Sequence, residues 1–290
     1  SSTPLTVSIP ALLLKRIKKV KMIFEIRDLW PQIPIAIGAI KSNILIKFAR
    51  WLETKTYENS NHIICLSSGM KTELKLNIPS SKITVITNIS DIELFQNNKE
   101  KNYITKKIPN IGMKPLIVYT GVFGLINGVD YIVEIANEMK SINPSICFLL
   151  VGNGYSKDQV ITKSKEFKIL NKSLYYLDYL PKSEVPKLLS SATIVSSFFI
   201  DLPEMVNNSA NKFFDGLAAG KPIMINYGGW QKELLDDSGA GFTIPKRNAK
   251  IAAKKINNLL KNKNKLNNMS EASLILAKKF DIESNFKKFV

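Results

Sequence analysis

The run Leu116-Ile-Val-Tyr-Thr120 is followed by Gly121, Gly124 and Gly128, then by helically spaced Val133, Ile135 and Met139, then by the run Ile146-Cys-Phe-Leu-Leu-Val151. Both runs are short and almost wholly apolar, as strands covered on both faces must be, and the stretch between them has the period of a helix. A strand, a helix and a second strand in this order make a parallel crossover unit. The same alternation extends outward in both directions. Strand-like runs fall at residues 22–26, 62–66, 83–86, 173–177, 194–199 and 222–225, with amphipathic segments between them such as Ile44, Phe48, Trp51 and Leu52. The predicted architecture is therefore α/β, with doubly wound parallel sheets.

Residues 96–114 interrupt the series. They are rich in Lys and Asn, contain Pro109 and Gly112, and read as an interdomain linker. The predicted domains are 1–95 and 115–280, followed by a tail at 281–290. Helices are predicted at 249–260 and 270–280, joined by a solvated Lys/Asn connection at 261–268. Three strands precede the linker and five follow it, and the chain opens Ser-Ser-Thr-Pro without Met, charged n-region or cleavage site. The expectation is an N-terminal domain lacking its first strands, with no signal peptide.

Composition narrows the function. The 290 residues carry 41 Lys plus Arg against 24 Asp plus Glu, a net charge of +17, yet only four of the basic residues are Arg. Bidentate reading of bases and phosphates favours Arg, and no zinc finger or aromatic-interleaved basic motif is present, so nucleic acid is not the expected partner. Cys65 and Cys147 stand apart, and a single His, His62, opens a strand-like run where a structural role fits it. No metal site or disulfide framework can be assembled, and a reducing cytoplasm is the default compartment. No apolar run reaches the roughly 18 residues of a spanning helix. Lys15, Arg16, Lys18, Lys19 and Lys21 lie beside the apolar residues 12–14, a basic amphipathic patch suited to an anionic membrane surface and equally readable as a solvated helix.

Chemistry concentrates in Ser209-Ala-Asn-Lys-Phe-Phe-Asp-Gly-Leu-Ala-Ala-Gly-Lys-Pro222, after the run at 194–199. Ser209 is the expected N-cap and Gly220 the C′ glycine of a helix of about three turns. Asn211, Lys212 and Asp215 share one face, and Phe213, Phe214 and Leu217 pack. A helix N-terminus at the carboxyl edge of a parallel strand suits a pyrophosphate, with Lys212 adding charge, and Asp215 suits a vicinal diol such as ribose. An exposed i,i+3 ion pair between Lys212 and Asp215 is the plain alternative. Gly121 and Gly124 allow backbone to approach a ligand, although their spacing is not the dinucleotide fingerprint, and Gly152-Asn-Gly-Tyr-Ser-Lys157 lacks the third glycine of GxGxxG. Taken together, the two turns and the Ser209 helix define one nucleotide crevice.

Several stretches resemble family 4 glycosyltransferases of the GT-B fold: Ile26-Arg-Asp-Leu-Trp-Pro31, residues 121–130, Val151-Gly-Asn-Gly154, Tyr179-Leu-Pro181 and Asn211 to Pro222. The likeness is to the bacterial branch that adds N-acetylated amino sugars during surface polysaccharide assembly, lipopolysaccharide included. It implies two Rossmann-like domains facing a cleft and a retaining hexosyltransferase. The donor, a UDP-sugar carrying an N-acetylhexosamine or a deoxy derivative, is a substrate, and no cofactor or metal is implied. The expected acceptor is a glycan or polyprenyl-linked, and the expected place is the cytoplasm, with peripheral contact at the inner face of the membrane resting on the basic patch rather than on the resemblance. The resemblance puts Gly121, Gly124, Asn127, Gly152, Asn153, Leu180, Ser209, Asn211, Lys212 and Asp215 at the donor, and Asp28 with Lys212 in catalysis.

The sequence departs from the family pattern at four places. The first acidic position of the family's E-x7-E signature falls on Asn207, with Asp215 as the second. The Arg and Lys that many members carry in the glycine turn are Val122 and Asn127 here, and the His before the N-domain Asp is Arg27. Rival readings are a nucleotide-sugar epimerase of the same fold, a noncatalytic nucleotide-sugar-binding fragment, and a basic nucleic-acid or membrane-surface binder.

Overall fold

A computed structural model describes residues 4–289. Two compact units are present. Among the described residues one unit runs to Asn88 and includes Leu202–Ser209 and the residues from Asn285 onward; the other comprises Ile89–Asp201 and Ala210–Ser284.

The first unit is built on a three-stranded parallel sheet, β1 (Ile23–Ile26), β2 (His62–Cys65) and β3 (Ile83–Val85), in that spatial order. Ile26 pairs with Cys65, which pairs in turn with Val85. Phe24, Ile26, Ile63 and Cys65 point into a core completed by Leu52, Met70 and Leu74. Leu52 lies on the Asn43–Asn59 helix, and Met70 and Leu74 on the Ser68–Leu74 helix, whose N-terminus is capped by Ser67 accepting from the Met70 amide. His62 is structural, its Nε2 lying 2.8 Å from Thr84 Oγ1 on the neighbouring strand.

The second unit holds six parallel strands: β4 (Leu116–Thr120), β5 (Cys147–Val151), β6 (Leu174–Leu177), β7 (Ile194–Ser197), β8 (Ile223–Ile225) and β9 (Gly241–Thr243). Their spatial order is β6-β5-β4-β7-β8-β9. The chain thus winds outward from β4 through β5 to β6, then returns to the other side of β4 for β7, β8 and β9. Such a reversal leaves a crevice beyond the carboxyl ends of β4 and β7, because the connections leave those two strands in opposite directions. Every residue of β4, β5, β7 and β8 is buried, and β5 and β8 are apolar throughout, while β4 ends in Thr120 and β7 in Ser196 and Ser197.

Three expectations are corrected. The second sheet has six strands rather than five after residue 114, the added one being Gly241–Thr243, where a Cβ at Gly241 would lie 2.1 Å from the Ile223 carbonyl oxygen. Residues 96–114 do not lie between the two units as a linker. They form the end of the Ile92–Asn97 helix, the Tyr103–Lys107 helix and a 3₁₀ turn at Pro109–Ile111, and they belong to the second unit because Tyr103, Ile104 and Ile111 are buried. The connection expected at 261–268 is largely the start of a helix, Lys263–Ala277, capped by Asn262 accepting from the Lys265 amide.

Candidate functional site

The crevice end of the second sheet is lined by the turns after β4 and β5 and by the Asn211–Ala218 helix after β7. The two turns interlock through backbone. Phe123 N–H donates to Asn153 O at 2.9 Å, and Ser156 N–H donates to Phe123 O at 2.8 Å. Two glycines permit this approach. Gly152 has φ +144° and a Cβ there would lie 1.9 Å from Gly121 O; Gly154 has φ +150° and a Cβ would lie 2.8 Å from Phe123 N. Asn127 closes the first turn by donating from Nδ2 to Val122 O at 2.7 Å. Asn153 donates to Asp178 at 2.9 Å and accepts from the Gly154 amide through its own Oδ1.

The Asn211–Ala218 helix is eight residues long, about two turns rather than three. Its N-cap is Ala210, with no side-chain cap bond. Ser209 therefore does not cap it. The serine belongs to the first unit, buried there, with its carbonyl accepting from Asn88 Nδ2 at 2.9 Å. At the other end Lys221 N–H donates to Gly216 O and Gly220 N–H to Leu217 O. Together with Gly220 at φ +65° these bonds make the Schellman closure anticipated for Gly220. Phe213, Phe214 and Leu217 are buried as the spacing required, and Gly216 packs where a Cβ would meet Ile223 Cδ1 at 2.5 Å.

Lys212 reaches from this helix to the β4 turn. Its Nζ donates to the Tyr119 hydroxyl at 2.8 Å and sits 4.2 Å from the centre of the Tyr119 ring. A Cβ on Gly121 would lie 3.2 Å from Lys212 Cε and 3.3 Å from Nζ, so the glycine turn and the amine share one small volume. Burial pushes the Lys212 pKa down to about 7, with the Asp215 charge opposing part of that fall. Asp215 is pushed up to about 7, chiefly by burial; Lys182 and Lys212 pull it down and Asp91 pushes it up. Among the described residues no ion pair joins Lys212 to Asp215, so the surface i,i+3 pair is not what the helix presents. Burial thus moves the lysine down and the carboxylate up in the same crevice, a combination common at functional sites.

The structure brings Gly121, Gly124, Asn127, Gly152, Asn153, Lys212 and Asp215 to one end of one sheet. Asn211 stands exposed at the helix start, and Leu180, half-buried, follows β6 in the loop that Pro181 ends. Asp28 lies in the first unit, half-buried just past β1. Beside it Arg27 bonds Glu25 at 3.1 Å and Asn88 Oδ1 at 3.2 Å, so Asn88 links Arg27 to Ser209.

Two residues escaped the sequence reading. Tyr119 lay inside an apolar run and carried no signal of its own. Glu73 sits on the Ser68–Leu74 helix of the first unit, its carboxylate accepting from Gln32 at 2.8 Å and from Asn207 at 2.9 Å. Asn207, where the resemblance expects an acid, is thus the donor to a carboxylate supplied by another helix.

Residues 100–274, more than half of the chain, match the family model for glycosyl transferases group 1. The chain belongs to this family. A relative in sequence is an uncharacterised glycosyltransferase of Methanocaldococcus jannaschii, 22% identical over 246 residues, which are 85% of this chain and 61% of that protein. The chain spans about three fifths of the relative's length. Among solved structures, HepE of Anabaena in complex with UDP-glucose superposes with a TM-score of 0.80 at 14% identity, covering 99% of this chain and 76% of that one. The sucrose-phosphate synthase of Thermosynechococcus elongatus gives 0.79 at 13%, covering 98% and 70%. These likenesses establish the fold of this group 1 chain as GT-B.

Proposed function

We propose that this chain transfers a sugar from a UDP-sugar to a glycan or lipid-linked acceptor, with retention at the anomeric carbon. The observation that carries the reading is the meeting of Lys212 with the Gly121 turn at the carboxyl end of β4, a turn of the Asn211–Ala218 helix away from Asp215. That arrangement suits a nucleoside diphosphate: a cationic amine and an uncapped helix N-terminus for the phosphates, a carboxylate for the ribose diol. HepE, with the same fold, is described in complexes with UDP and with UDP-glucose. In transfer the bond from the anomeric carbon to the diphosphate breaks, and negative charge grows on the departing phosphate. Lys212 and the backbone amides are fixed in advance where that charge develops, which lowers the barrier. Asn127 and Asn153 brace the two turns, while Gly124, Leu180 and Asn211 border the donor.

Asp28, in the first unit, is proposed for catalysis on the strength of the sequence resemblance. The amino-sugar preference, an N-acetylhexosamine or a deoxy derivative, rests on the sequence resemblance. No step is assigned to a metal or a cofactor; among the described residues no cluster of three His, Cys, Asp or Glu is placed to hold an ion. Peripheral placement at the inner face of the cytoplasmic membrane rests on the Ser8–Lys18 helix, where Leu13, Leu14 and Ile17 are more than half exposed beside Lys15, Arg16 and Lys18. Co-sedimentation with vesicles containing anionic lipid, absent with neutral vesicles, is the check on that placement. Among the described residues no helix is long and apolar enough to cross a membrane.

The test of the donor assignment is calorimetric titration with UDP-, GDP- and TDP-sugars, on the wild type and on Asp215→Ala. UDP-sugars are expected to bind most tightly, and the substitution to cost about 1.5 kcal/mol, roughly tenfold in affinity. That is the low end for a bond involving a charged partner, since Asp215 is only partly ionised at neutral pH. Unchanged affinity in a folded Asp215→Ala protein would remove Asp215 from the site.

A further inference from the structure

Among the described residues one side chain, that of Tyr119, bonds the Lys212 amine. Tyr119 is fully buried in β4, where a phenylalanine would fill the same space. Its hydroxyl makes two bonds, donating to Val122 O at 3.0 Å and accepting from Lys212 Nζ at 2.8 Å. A phenol has one hydrogen; once that hydrogen is given to Val122, the oxygen can only accept, so the direction of the lysine bond is fixed. The ring packs edge-on against Phe123, centroids 5.9 Å apart, and Phe123 packs likewise on Tyr176, whose one hydroxyl hydrogen lies between two acceptors, Gly152 O at 2.9 Å and Asp178 Oδ1 at 2.7 Å. One aromatic series therefore ties the amine to both glycine turns.

We propose that Tyr119 is the positioning residue of the donor site, fixing the Lys212 amine against the Gly121 turn so that its remaining N–H bonds serve the diphosphate of a nucleotide-sugar. The proposal rests on the nucleotide-sugar reading above. Tyr119 acts through Lys212 and does not itself touch the donor. Lys212 faces Tyr119 on β4 and Asp215 on its own helix; Asp215 in turn faces Asp91, at the start of the Ile92–Asn97 helix, and Lys182. The phenol oxygen and ring face both favour the charged amine. Loss of the oxygen alone therefore makes the amine harder to protonate, and binding an anion at pH 7.5 must then draw in more protons.

The experiment is titration of UDP at pH 7.5 in buffers of different ionisation enthalpy, which counts the protons taken up on binding. Tyr119→Phe is expected to bind UDP about tenfold more weakly than the wild type and to take up a larger fraction of a proton. A purely structural role would weaken binding without moving the proton count. If Tyr119→Phe does not fold, 3-fluorotyrosine at 119, which keeps both bonds and weakens the oxygen as an acceptor, must raise the proton count in the same way. Wild-type affinity and an unchanged count in the folded variant would overturn the role of Tyr119 and leave the nucleotide-sugar reading standing. A wild-type chain that bound no nucleoside diphosphate would overturn both.

Discussion

Replacing Lys212 with methionine is expected to weaken UDP binding about 100-fold, close to 3 kcal/mol, and to leave the protein more stable than the wild type near neutral pH. The binding loss is that of a charge-assisted bond to phosphate made by a partly desolvated amine. Stability moves the opposite way because folding disfavours the charged form. The folded pKa of about 7 lies below the ordinary 10.5, so between those values the unfolded chain binds more protons than the folded one. Wild-type stability contributed by this group therefore rises as pH climbs from about 7 toward 10.5, and the full penalty is present below 7. Methionine fills a similar volume without charge and removes that slope. Thermal melting between pH 6 and 9, beside UDP titration, checks both halves. A variant that binds UDP like the wild type would take Lys212 out of the phosphate site, and one with an undiminished slope would show that folding does not disfavour the charged amine.

The second large effect is expected at Gly152. Alanine there would place a methyl 1.9 Å from Gly121 O at a φ of +144°, and the obstacle is backbone, which no rotamer change relieves. The β4 and β5 turns must part, at a cost of about 3 kcal/mol or more. That corresponds to a fall in melting temperature of about 6–12 °C, together with loss of UDP binding as the turn carrying Gly121 shifts. Gly228→Ala is the control: nothing lies within 4 Å of its added Cβ, and its stability should stay within about 0.5 kcal/mol of the wild type. Equal melting of the two variants would show that the interlocked turns are not rigid.

How much of this was legible beforehand varies with the physics of each element. Leu116–Thr120 read to the residue because a strand covered on both faces must be almost wholly apolar, and Gly121 ends it sharply. Gly241–Thr243 did not read as a strand, since three residues including a glycine carry no period, and the glycine is there for a close approach to Ile223. The apolar positions that bury Tyr103, Ile104 and Ile111 were diluted by lysines and a proline, which made packed helices look like a linker. Ser209 failed as a cap for a different reason: its hydroxyl and carbonyl are claimed by Asn88, 121 residues away in sequence. Spacing along the helix did place Lys212 and Asp215 on one face, yet it could not show that a phenol 93 residues earlier receives the amine. Local patterns thus named the residues proposed for the donor site in the second unit, while the partners that hold them came only from tertiary contact.

Amide hydrogen exchange with and without UDP, followed segment by segment, locates the donor. Protection on adding UDP is expected within residues 121–128, 152–155 and 211–215, with the Lys212→Met protein showing none at the same UDP concentration. Protection confined to other segments, or equal protection in Lys212→Met, would contradict a donor site built from these turns and this lysine.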